Sequence, residues 1–346
     1  MRARIGLAMG LALLALPAFA AGHSAKAPAA TQYKMTPLVS DQAGVAPNTD
    51  PDLVNPWGLA QAGDTLPVWV SDNGTDKSTL YNRTSGVKSS LIVNIPLGAP
   101  TGIVFVPSGT GFTISNGSTS GPSTFIFATE SGAIEGWNST VDLNNAIVAF
   151  DGSGDGSVYK GLALDPVSKK LFAADFWNNQ VEVFDNTFAH TGGFTDPSLP
   201  KGYAPFNVQL LNGKLYVAFA KRKKGSIDEI DKAGFGYVDV FGTDGSLQQN
   251  LISNGPLNAP WGLAIAPANF GTYSNALLVG NFGDGRINAF DASTGAMLGS
   301  LNKSKNKALK IDGLWALDVG PGSATVSFSA GPGDETHGLL GTITVK

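Results

Sequence analysis

Four aromatic residues, Trp57, Phe206, Trp261 and Trp315, stand at the head of similar apolar runs spread through a 346-residue chain. Two of those runs, LVNPWGLA from Leu53 and LNAPWGLA from Leu257, agree at six of eight positions. Indole and phenyl faces that converge can stack on sugar rings or hold a cation. They can equally serve as fillers between repeated units, because each buries a large apolar area. Lys160 takes the same place in another run, and Trp177 sits in a polar loop that follows it. With the four aromatics these two complete a candidate ligand-binding set.

A second group is oxygen-rich. Glu130, Asp175, Asn207, Asn281 and Asp312 carry hard ligands of the kind calcium prefers. The competing reading is that segments such as SDNG, ADFWNN and GNFGDG are turns, with Asp, Asn and Gly chosen for Asx hydrogen bonds and positive φ. Acid–base chemistry has fewer candidates. The histidines are His23, His190 and His337, and only His337 lies beside acids, Asp334 and Glu335. That trio offers an acid–base pair, or a polar loop that holds the last hairpin. No GxSxG nucleophile elbow and no GxGxxG or Walker loop occurs.

These residues need a scaffold, and a repeat supplies it. Starts at Trp57, Thr101, Lys160, Phe206, Trp261 and Trp315 are spaced by 44 to 59 residues. Each start leads to an apolar, alternating second segment (LPVWVSDNG, KLFAADFWNN, NALLVGNFGDG) and a third that ends in a turn signal (QVEVFDN, RINAFDASTG). A looser fourth follows, such as SSLIVNI or NAIVAF. Four short strands repeated six times predict an all-β, six-bladed propeller. The sixth unit ends after its third strand, so the segment Tyr33 to Asp41 is expected to supply the fourth and close the ring. Proline ahead of an inner strand needs no ladder donor, and the glycine after it permits close backbone approach.

The stretches NPWGLA, APTGIVF, AADFWNNQVEVFD, APWGLAIAP and the closing AGPGDETHGLLG together resemble a family of uncharacterised secreted bacterial propellers related to NHL-repeat proteins. The resemblance spans Tyr33 to Val345 and implies the fold and export, but no chemistry. Gluconolactonase-type enzymes are similar in ring size. That similarity implies, as an alternative, a calcium-dependent lactonase-like hydrolase on the channel face. Their pattern has a Glu at the first inner strand, where this chain has Trp57.

Composition agrees with an exported β protein. Charged residues are 14% of the chain and glycines number 44. Arg2 and Arg4, an apolar run from Gly6 to Leu16, and Ala18, Phe19 and Ala20 predict a signal peptide over 1–20, cut before Ala21. Residues 21–32 read as a flexible leader, and 33–346 as the propeller. There are no cysteines, so disulfides are excluded. A net charge of −4 gives no argument for nucleic acid or an anionic membrane surface, and neither is expected as a partner. The insertion Lys221 to Gly234, basic and then acidic, is expected to project over the ligand face as a lid or docking element. The expected protein is a secreted or periplasmic monomer without a transmembrane segment. Its channel mouth would bind a small molecule, a glycan or an envelope partner.

Overall fold

The six predicted starts are the innermost strands of six sheets. In a computed structural model, which describes residues 31–320 and 322–346, they run Pro56–Gln61, Pro100–Phe105, Tyr159–Asp165, Tyr203–Leu211, Pro260–Ile265 and Leu314–Asp318. Five begin a four-stranded antiparallel blade, the sixth a blade to which the two-residue strand Asn48–Thr49 adds a parallel fifth, and neighbouring inner strands contact one another around the full ring. Blades without insertions repeat every 44 to 46 residues. The longer spacings come from additions: a hairpin (Thr113–Ser115 with Ser120–Pro122) in blade two, residues 221–234 in blade four, and a hairpin (Asn302–Ser304 with Lys307–Ala308) after blade five. The first and last of these hairpins carry no clear alternation in the sequence.

The ring closes as expected. Tyr33–Ser40 pairs antiparallel with Leu339–Val345, from Tyr33 opposite Val345 to Ser40 opposite Leu339. The predicted signal peptide and residues 21–30 of the leader, with His23, lie outside the described residues. Thr31 and Gln32 already bond to the body: Thr31 Oγ1 shares a 2.7 Å hydrogen bond with Thr272 Oγ1, and Gln32 O accepts from Lys346 N. No helix among the described residues is long and apolar enough to cross a membrane.

Packing explains the repeat. One apolar cluster fills each of the six gaps between blades, and a seventh lies on the axis. The inner strands crowd so closely that a Cβ on Gly58 would sit 2.5 Å from Thr101 O, and one on Gly262 2.7 Å from Trp315 O. Blade four has Asn207 at this position instead, and its amide donates to Trp261 O across the gap at 2.8 Å. Gly58→Ala is therefore expected to cost about 1–3 kcal/mol through overpacking. Urea unfolding would read this as a lower midpoint, with the slope unchanged.

Candidate functional site: a charged pocket over an aromatic floor

Every inner strand is irregular where it begins. Its pairing to the second strand slips by a residue or more at Pro56/Leu59, Tyr159/Gly161, Pro205/Asn207, Pro260/Gly262 and Leu314/Leu317, and likewise between Pro100 and Ile103 in blade two. A bulge re-aims the side chain it carries. The bulged stretches hold Trp57, Thr101, Lys160, Phe206, Trp261 and Trp315, the six repeat starts, and all six are buried.

The aromatic members meet on the axis. Trp57 stacks on Trp315 with centroids 3.5 Å apart, Trp261 stands edge-on to both at 6.0 and 5.8 Å, and Phe206 lies 5.8 Å from Trp315. Phe282 covers the other side of Trp315 at 4.1 Å. The cluster is pinned by hydrogen bonds from Trp261 Nε1 to Lys160 O and from Trp315 Nε1 to Asn55 Oδ1, both 2.9 Å. The filler reading of the aromatics thus describes Phe206 and Trp261. Trp57 and Trp315 are also packed, yet they form part of a floor.

Above that floor opens a pocket of about 760 Å³, lined from all six blades. Blade one gives Asn55, Trp57 and Asn73, blade two Glu130, blade three Lys160, and blade five Phe282. Blade six gives Asp312, Trp315, Asp334 and Glu335, and the blade-four insertion adds Lys223, Ile227, Asp228, Glu229 and Asp231. The insertion is anchored as a small hairpin. Lys223 N bonds Asp228 O, Ile230 N bonds Lys221 O, and Arg222 Nη1 reaches across to Phe176 O at 2.7 Å.

Lys160 governs the electrostatics. Its ammonium is bonded to Glu130 Oε1 and stands 5.0 Å from the centre of the Trp57 ring. Glu130 Oε2 accepts from Asn73 Nδ2 at 2.9 Å, and Glu335 Oε1 from Asn55 Nδ2 at 3.1 Å. Burial alone would lower the lysine, but Glu130, Glu229 and Glu335 outweigh it and hold Lys160 above its ordinary value. Burial also pushes Glu229 up to about 7 against the pull of Lys160. Glu335 is raised by burial too, and Asp231 by burial and by Asp284. The Trp57 indole N–H is buried and has no acceptor among the described residues.

No family model matches the chain. An uncharacterized protein of Acanthamoeba polyphaga mimivirus is 34% identical over 330 residues, covering 91% of this chain and 86% of its own length. A second from the same virus is 33% identical over 331 residues, covering 91% and 81%. The chain belongs to the family of these two proteins. Solved structures similar to it are far more distant in sequence. A glucose dehydrogenase matches with TM-score 0.55 at 12% identity, over 90% of this chain and 99% of its own. Virginiamycin B lyase from Staphylococcus aureus matches with TM-score 0.51 at 14% identity, over 91% and 100%. At such identities they speak for the propeller fold alone. The names of these two viral relatives state no activity.

Within this family member the remaining candidates separate by place. Asp334 and Glu335 line the pocket, both at positive φ. His337 does not join them. Its Nδ1 lies 2.9 Å from Asp41 Oδ2, and Asp41 Oδ1 accepts from Gly338 N, so the N-terminal segment holds this histidine outside the pocket lining. Trp177 is 39% exposed and lies under the Arg222 guanidinium at 5.1 Å, also outside the lining.

The five oxygen-ligand candidates do not converge. Asp175 is occupied by its own turn, accepting from Val158 N, Trp177 N and Asn178 N. Asn281 donates to Pro256 O and Asp284 Oδ1, and Asn207 bridges inner strands. Glu130 and Asp312 reach the pocket, but Glu130 carries an ammonium and Asp312 accepts from Gly333 N. Among the described residues no three His, Asp or Glu side chains gather as a cation site. As arranged, these donors do not fit a calcium centre: the five are not brought together, and Glu130 is paired with Lys160.

Phe282 and the orphan Trp57 N–H were not anticipated. A signal for Phe282 existed: a Phe directly follows the second strand in ADFWNN and in GNFGDG, and both Phe176 and Phe282 enter the axial cluster.

Proposed function

We propose that the chain is a binding protein whose channel-mouth pocket takes a small, polar, amine-bearing molecule or glycan unit. The observation that supports this reading most is the lining charge. Seven carboxylates (Glu130, Asp228, Glu229, Asp231, Asp312, Asp334 and Glu335) face two ammoniums, and one of these, Lys160, is already paired. A blind pocket with that balance concentrates cations.

Thermal unfolding with glucosamine, glucose and galacturonate tests it. Glucosamine is expected to raise Tm by mass action, and the other two to raise it less or not at all. Glu229→Gln should weaken glucosamine about tenfold, which is about 1.4 kcal/mol. The affinity should fall as pH drops below about 7, where Glu229 takes up a proton. Equal binding of galacturonate would reject the charge argument. A calcium-reversible loss of Tm in EDTA would move the reading to the metal-dependent hydrolase.

A further inference from the structure

Five lysines gather away from the axis. A groove of about 410 Å³ lies between the outer strand of blade six (Tyr33–Ser40) and the hairpin after blade five. Lys34, Lys303, Lys307, Lys310 and Lys346 line it, and all five are exposed. No Asp or Glu side chain is among its lining residues. Among the described residues, none of the five lysines joins an ion pair. In a chain of net charge −4 this is a local reversal of sign.

The floor is fixed while the rims are long and free. Tyr33 is fully buried, donates to Phe270 O at 3.0 Å and stacks on Tyr273 at 5.9 Å. Met35 and Leu309 continue the floor. Lysine on an edge strand deters pairing with other chains, and this accounts for Lys34. It does not account for the meeting of Lys34 with Lys303, Lys307 and Lys310, which come from the separate hairpin and the residues just after it, in one groove.

We propose that this groove docks a linear anionic glycan through its sulfate or phosphate groups. Lysine is a point charge on a flexible stem, suited to following charge along a polymer rather than to bidentate recognition. The groove holds no arginine and no exposed aromatic ring. It therefore offers no planar donor fork for a base edge and no ring to stack on a base, which favours a glycan over a nucleic acid. Ser304 adds one hydroxyl for a sugar oxygen. The site is independent of the axial pocket.

Heparin-agarose, run near 0.15 M salt where screening acts over about 8 Å, tests this with the whole protein. The wild type is expected to be retained despite its net negative charge. The K303E/K307E/K310E variant should pass straight through with an unchanged Tm. A control with the same charge change on blades three and four, K170E/K201E/K214E, should remain bound. Free passage of the wild type overturns the proposal. So does equal loss of retention in both variants, which would make net charge the cause. Elution from duplex DNA at higher salt than from heparin would reassign the groove to nucleic acid. Complete elution by inorganic phosphate at the buffer's own ionic strength would make it a site for a single anion.

Discussion

Lys160→Met is expected to destabilise the protein by about 3 kcal/mol at pH 8, and by clearly less at pH 5. Lys160 is 3% exposed, and among the described residues its ammonium is the one buried cation facing Glu130, Glu229 and Glu335. Methionine keeps most of the aliphatic stem, so the loss is chiefly one of charge, including the ammonium's approach to the Trp57 and Phe176 rings at 5.0 and 5.9 Å. Removing one partner of a buried pair usually costs 3–5 kcal/mol, and the low end applies because Glu130 keeps 19% of its side chain in solvent. Three partly buried carboxylates then face one another without a counter-ion, and Glu229 and Glu335, already raised by burial, rise further. An acid raised in the folded state binds more protons there than in the unfolded chain. The penalty therefore shrinks as pH falls toward the unfolded value, near 4.3 for Glu, and is fully expressed above the folded one. Urea unfolding of K160M at the two pH values reads this directly. Adding Glu130→Gln should recover part of the loss at pH 8. A loss equal at both pH values would show that packing, not charge, is what Lys160 supplies.

The blades were legible because a propeller repeats its physics. The inner-strand glycines recur because each faces the next strand's backbone, and turn residues recur because each blade turns in the same places. What a single repeat cannot display is anything that depends on the ring being closed. The side chain on each bulge is visible in the sequence, but its direction depends on a register slip that alternation does not encode. The Trp57–Trp315 stack joins the first blade to the last, across 258 positions. His337 looked like a partner of Glu335, two residues away. Its actual partner, Asp41, is 296 residues away and arrives only when the N-terminal strand completes blade six. Asp175 and Glu130 were indistinguishable as ligands. Three backbone N–H groups claim the first, whereas a lysine on the neighbouring blade claims the second. Local turn chemistry and long-range charge pairing draw on the same residue types, and only the assembled ring separates them.

Buried polar residues in the third strands carry the second large effect, and alternation alone does not reveal them. The middle of that strand holds one in five blades: Thr79, Glu135, Glu182, Asp239 and Asn288. Glu135 accepts from Leu97 N at 3.0 Å, and its other oxygen has no partner among the described residues. Asp239 accepts from Asn250 at 3.3 Å, has one unpartnered oxygen, and faces Asp196. Burial pushes both carboxyls up to about 7, and raises Glu182 as well. In the unfolded chain these groups titrate near 4, so between about pH 4 and pH 7 the native state binds more protons. Stability must then fall as pH rises through that window, and level off above it. Asp52 works in the opposite sense. Burial would raise it, but Lys77 and Lys88 lower it, so its contribution is lost only as pH drops through the acid range. The stability maximum is therefore expected near pH 5. At pH 8 the protein should be weaker by several kcal/mol, since each pH unit separating a group's folded and unfolded midpoints is worth about 1.4 kcal/mol. The pocket acids Glu229 and Glu335 contribute with the same sign, so the assignment needs variants. E135Q/D239N should flatten most of the difference between pH 5 and pH 8 in urea unfolding, and E229Q should remove a smaller part. If E135Q/D239N keeps the full difference, the titrating acids are the others that burial raises, Asp72 and Asp318 in the blades or Glu229 and Glu335 in the pocket.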